Sequence, residues 1–250
     1  MTDESNLLFD QAMQEWDVAN EKDSISSYKN AEGLFLLGLK KLDKPIPRIY
    51  SFLSMLYYDM ALCYARKQNE REQKAANESI NSATKYANLA LQHEPLEFRA
   101  QLIKTYIASD NILYLSGGMS NIIPQSKDVV TAIFEGVGRA INTGAAMAQV
   151  SMSKSAFKQE LEKLLVIYTE LSKEYILSVT EFFFFANKLL GIADFCSENK
   201  LFGAKEIYTL ICNVDINELD ADSINPEMQS EILKEISTFK KLAEARLMTL

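Results

Sequence analysis

The sequence predicts an all-α fold, and three observations carry that expectation. Apolar residues recur at helical spacing: in 47–68, Ile49, Phe52, Leu53, Leu56, Tyr57, Met60, Ala61 and Tyr64 follow the i, i+3, i+4, i+7 rule. No sustained period-two alternation bounded by turn residues is found, so strands are not expected. Only 9 Gly and 5 Pro punctuate 250 residues, which lets long helices run.

The breaks fall at intervals that suit helical hairpins. They are Lys22–Ser24, Asp43–Pro47, His93–Pro95, Ser116–Asn121, Ser151–Ser153, Ser197–Gly203 and Asn213–Pro226. In 47–68, Met55, Tyr58 and Leu62 form a second apolar stripe, so this helix is expected to meet neighbours on two sides. The segment 154–199 has Gly191 as its only glycine and no proline, and predicts a long helix followed by another. Asn225-Pro226-Glu227 supplies an N-cap, a proline at the first helical position and a favourable acid. The last helix places Ile232, Ile236, Phe239 and Ala243 on one face and charges on much of the rest, as a terminal cap requires. Four consecutive phenylalanines, Phe182–Phe185, would sweep roughly 300° of a helix surface. Phe182, Phe185 and Leu189 read as the inward stripe. Phe183 then lies on another side, against the chain itself or against a dimer or partner surface.

Composition narrows the function classes. With 26 basic and 34 acidic residues the net charge is −8, and no basic patch stands out against it, so nucleic-acid binding is not expected. No window reaches the ~18 uncharged apolar residues of a membrane span. The N-terminal MTDESNLLFDQ lacks the basic start and apolar run of a signal peptide. Three cysteines, Cys63, Cys196 and Cys212, with no close pair, read as buried thiols in a reducing compartment, and the expected location is cytoplasmic.

Two stretches share a pattern of small residues. Ala83, Ala87 and Ala90-Leu91 fall at intervals of four and three with Pro95 beyond, and Ala31, Phe35 and Gly38-Leu39 keep the same spacing. A weaker echo runs through Phe195, Ala204, Tyr208 and Ile211, and Ala61-Leu-Cys-Tyr64 echoes the opening helix of such a pair. These residues resemble a degenerate tetratricopeptide repeat, clearest in residues 10–95. The resemblance implies antiparallel helical hairpins stacked as a right-handed solenoid. A single all-helical domain, 1–250, is expected, comprising repeats over 1–95, atypical apolar helices over 96–190, and a degenerate repeat with a C-terminal capping helix over 191–250. One departure stands out: Ala61 and Ala83 are 22 residues apart, longer than the family's spacing, so the second pair carries a charged extension, Lys67–Glu78.

Chemical motifs are weak. His93 is the only histidine and lies at a helix exit, which leaves little room for His-based metal or catalytic sites. Glu135–Gly144 lacks the third glycine of a dinucleotide loop and any preceding strand. In that region Gly136, Ala140, Gly144, Ala145 and Ala148 read as a close-packing strip. Asp220–Glu231 has Asn225 where a calcium loop needs glycine. No enzyme activity, metal or cofactor is expected.

The expected function is a non-enzymatic protein–protein interaction scaffold binding a peptide or helix of a partner in a concave groove. The family resemblance implies that the first helix of each pair lines that groove. Laid onto this chain, the lining is Met13, Trp16 and Asn20, then Met55, Tyr58, Leu62 and Arg66. Trp16 and Tyr58 read equally well as core. Asp59 stands where an acidic-peptide clamp would need asparagine, so an apolar or basic segment is the better expectation. A homodimer is compatible with the phenylalanine run. The alternative is a sensor or carrier enclosing an apolar small molecule among helices 112–190.

Overall fold

The structure, a computed structural model, describes residues 3–67, 70–115, 144–174, 178–220 and 225–250. These form nine α-helices: α1 Asp3–Lys22, α2 Ile25–Lys40, α3 Pro47–Ala65, α4 Glu70–His93, α5 Phe98–Leu115, α6 Gly144–Glu174, α7 Val179–Glu198, α8 Ala204–Asn213 and α9 Pro226–Leu247. A 3-10 turn, Ile216–Glu218, precedes α9. Among the described residues there is no strand, only an isolated bridge between Ser178 and Asp220.

The chain divides into two compact units, Met1–Glu160 and Leu161–Leu250. In the first, α1 pairs with α2 and α3 with α4, while α3 also packs on α2 and α5. The turn between α1 and α2 is made by Asp23 in left-handed backbone (φ 50°) followed by Ser24, whose hydroxyl caps α2 by accepting from the Ser27 amide at 3.3 Å. Pro47 opens α3 at the position where a missing N–H costs nothing.

Small residues set the close contacts, as the repeat-like pattern predicts. Ala31, Ala83, Ala87 and Ala90 are fully buried. The aromatic ring of Phe9 on α1 lies over Gly38, where an added Cβ would meet it at 2.6 Å. Ser54 of α3 donates to the Ala83 carbonyl at 2.9 Å, which only an approach with no intervening side chain allows. The predicted core stripe of α3 is realised: Ile49, Leu53, Leu56, Met60 and Ala61 are buried.

The middle of α6 is anchored to α5 through Glu160. Gln101 donates to the Glu160 carbonyl at 2.9 Å and to its carboxylate at 2.7 Å, and Lys104 lies 3.5 Å from the same carboxylate. The predicted break at Ser151–Ser153 is not there; α6 runs through it. Serine in an interior turn costs a helix only ~0.5 kcal/mol, and Ser151 is exposed, so nothing forces termination. The breaks at Lys22–Ser24, Asp43–Pro47, His93–Pro95, Ser197–Gly203 and Asn213–Pro226 coincide with helix ends. The one at Ser116–Asn121 lies outside the described residues, as do Gly136 and Ala140 of the expected close-packing strip.

In the second unit α7, α8 and α9 pack on one another. Phe182 and Leu189 are fully buried and Phe185 is 2% exposed, the stripe the sequence picks out. Tyr208 of α8 donates to Asp194 of α7 at 2.8 Å, and Arg246 of α9 pairs with the same carboxylate. Gly203 enters α8 with φ 116° and carries the side chain of Leu161 against it, so only glycine fits there. Ile236 and Ala243 are the buried residues of α9, whose cap at Asn225 accepts from the Glu227 amide at 2.9 Å.

Candidate functional site

The structure gives the expected groove residues on α1 and α3 two different fates. Trp16 is 5% exposed; its indole N–H donates to Asp59 of α3 at 3.0 Å, and its ring meets Phe35 edge-on at 6.4 Å. Tyr58 is 8% exposed, donates to Asp110 of α5 at 2.9 Å and stacks on Tyr106 at 5.7 Å. Burial and the Asp110 carboxylate drive the Tyr58 phenol well above its ordinary pKa. Both rings and both polar tips are thus engaged inside the helical layer. Met13, Met55 and Leu62 are half-buried against the same core. Asn20 and Arg66 are exposed: Asn20 accepts from Tyr28 at 2.5 Å, and Arg66 pairs with Asp23 at 2.7 Å. Phe183, in the second unit, is half-buried and stacks on Phe239 of α9 at 5.5 Å.

A different face of α3 carries open space. A cleft of about 720 Å³ runs between α2 and α4 and is floored by α3. Each helix contributes one stripe. Tyr57, Met60 and Tyr64 of α3 make the floor at i, i+3, i+7 spacing; Ile25, Lys29 and Glu32 of α2 make one wall at i, i+4, i+7. The other wall comes from the first half of α4, with Ala75, Ser79 and Ser82 facing the floor and Arg71, Lys74 and Glu78 along the rim.

The floor is fixed by hydrogen bonding. Tyr57 donates to Glu32 at 2.5 Å and stacks on Tyr86 at 5.5 Å with an interplanar angle of 7°. Tyr86 stacks on Tyr50 at 6.2 Å and Tyr50 on His93 at 6.0 Å, so four rings form a column along α3 and α4. Burial, with the Glu32 hydrogen bond and charge adding to it, raises the Tyr57 pKa far above the ordinary phenol value. Ser79 and Ser82 donate to carbonyls of their own helix, Ala75 and Glu78, at 2.8 and 3.0 Å. Their oxygens keep acceptor capacity toward the cleft. At the rim, the Lys74–Glu78 pair is 4.0 Å apart with both side chains well exposed, a weak association.

The reading of first helices as groove lining passed over this cleft, although its signal is in the sequence. The charged extension between Ala61 and Ala83 becomes the first turns of α4, and these turns are the second wall. Among the described residues no cluster of metal-ligating side chains is found, and no helix is long and apolar enough to cross a membrane. Compared with known proteins, the chain matches no family model, no curated protein and no solved structure.

Proposed function

We propose that this chain is a non-enzymatic scaffold that binds a helical segment of a partner protein, and that the cleft between α2 and α4 is where it does so. One observation carries the reading: beside helices closely packed through zero-exposure alanines and buried hydrogen bonds, α2 and α4 leave a trough open over α3. Its floor offers tyrosine and methionine, types enriched at interface hot spots, and its rim offers long charged side chains that set register. Sites for small apolar molecules are mostly apolar in lining; here six of the lining residues, Lys29, Glu32, Arg71, Glu72, Lys74 and Glu78, carry charge. Tyr57, one of two phenols at the floor, is held protonated by burial and the Glu32 carboxylate and so is not a base at neutral pH. The face formed by Trp16 and Tyr58 supplies the rigidity that holds the trough in shape.

The test is photo-crosslinking in cell extract, with a benzophenone amino acid replacing Lys29 in the cleft or Asn20 on the first-helix face. A protein crosslinked from position 29 and not from position 20 is the expected result. Crosslinking from position 20 alone would move the site to the first-helix groove. A retained small molecule in native mass spectrometry, lost when the cleft is filled by Ser82→Trp, would replace the scaffold reading with a carrier.

A further inference from the structure

We propose that the occupant of this cleft is an amphipathic helix of about three turns, antiparallel to α3, acidic in its first turn and basic in its last. The inference rests on the scaffold reading above and adds the direction and charge order of the ligand.

Direction follows from contacts. Along α3, Tyr57 meets Glu32 while Cys63 and Arg66 meet Asp23, so α2 runs antiparallel to α3. Ser54 meets Ala83 while Tyr50 meets His93, so α4 does too. The two walls are therefore parallel to each other, and a helix laid between them with the opposite sense to α3 is antiparallel to the floor and runs in the same sense as the walls. From Arg71 to Ser82 the α4 wall measures roughly 16 Å, or three helical turns. The floor stripe accepts apolar side chains spaced i, i+3 or i+4, and i+7.

Charge order then fixes which end is which. On each wall the cations precede the acid in chain order: Lys29 before Glu32 on α2, and Arg71 and Lys74 before Glu78 on α4. Glu72 breaks the order but is half-buried and engaged within the chain. At the cationic end the turn after α3 adds exposed Lys67, beside the Arg66–Asp23 ion pair, and the amino termini of α2 and α4 contribute their positive dipole ends. At the other end stand Glu78 and Glu32, whose second oxygen remains beside the one taken by Tyr57. Carboxylates on the ligand belong at the first end and ammonium groups at the second. A helix that is acidic at its amino terminus and basic at its carboxyl terminus is also the charge order helices favour by themselves.

The experiment is selection of displayed 14-residue peptides on the full chain, with leucine fixed at i, i+4 and i+7 and Glu, Lys, Gln or Ala allowed elsewhere. Binders enriched in Glu at the first turn and Lys at the last, weakened about tenfold by the double variant Arg71→Glu, Lys74→Glu, are expected. Circular dichroism melts confirm that the variants stay folded. Binders with no end preference, or the reverse order, that are still lost on Ser82→Trp would overturn the charge order and leave the cleft a helix site. A selection yielding no binder sensitive to Ser82→Trp would overturn both.

Discussion

Tyr57 and Tyr58 are neighbours in the chain, equally buried, and each donates its hydroxyl to a carboxylate on another helix. Yet Tyr58 sits in a contact between α3 and α5 that also holds Tyr106, whereas Tyr57 forms the floor of a cleft with room for a ligand. The difference is made by what surrounds each ring and owes nothing to residue type. Each ring is stacked by a neighbouring helix, Tyr58 by Tyr106 of α5 at 5.7 Å and Tyr57 by Tyr86 of α4 at 5.5 Å. Beside Tyr57, however, the space between α2 and the first half of α4 is open. An aromatic residue with a polar tip is thus a poor guide to a binding site until the spare volume next to it is known.

If the Trp16 and Tyr58 side is structural, breaking it should cost stability first. Trp16→Ala removes a buried ring packed on Phe35 and its bond to Asp59, and is expected to destabilise by ~3–5 kcal/mol in urea unfolding. The next effect is alkaline. Burial pushes the Cys63 thiol up from an ordinary 9.0 to about 11. The folded chain therefore holds a proton that the unfolded chain releases above pH 9, and the stabilisation, full below that value, is lost as pH approaches 11. The loss is read as a falling urea midpoint between pH 9 and 11. A Cys63→Ala variant should show a shallower fall.

Smaller effects separate close packing from open surface within a single helix. Gly38→Ala drives a Cβ into the Phe9 ring and should cost ~1–3 kcal/mol, although alanine is the better helix former. Gly33→Ala, with nothing within 4 Å, should gain ~0.5–1 kcal/mol. Thermal melts of the pair sharpen the contrast. Smallest of all, Arg71→Glu with Lys74→Glu at the exposed rim should shift stability by no more than ~0.5 kcal/mol while weakening partner binding about tenfold. A large stability loss there would turn the rim into a structural feature and erase the comparison.

Much of the fold was legible because it is local. Helical periodicity, the proline and asparagine punctuation, and the alanine and glycine stripes each depend on a few consecutive residues, and Ala83, Ala87, Ala90 and Gly38 do pack as their spacing predicts. What failed locally was Ser151–Ser153, where residues that favour turns are also tolerable on an exposed helix face. The site was legible only in part. Trp16 finding Asp59, and Phe183 finding Phe239, are partnerships across 43 and 56 positions that no spacing rule contains. The floor residues Tyr57, Met60 and Tyr64 read as core and are buried; that one side of them borders a void depends on where two other helices, α2 and α4, are placed. The mark left in the sequence was a departure, the charged extension that lengthens α4.

That extension has a geometric consequence. A heptad added to a helix closes nearly two full circles, ~20° short, so α4 can grow at its amino end without turning its alanine stripe away from α3. Ala76 and Ala83, a heptad apart, are both fully buried, which is what such growth leaves behind. The packing edge and the cleft-facing wall are in this sense separate modules on one rod. Removing a heptad from the amino-terminal part of α4 would shorten the trough by two turns and leave the underlying scaffold in phase, whereas removing five residues would rotate one against the other.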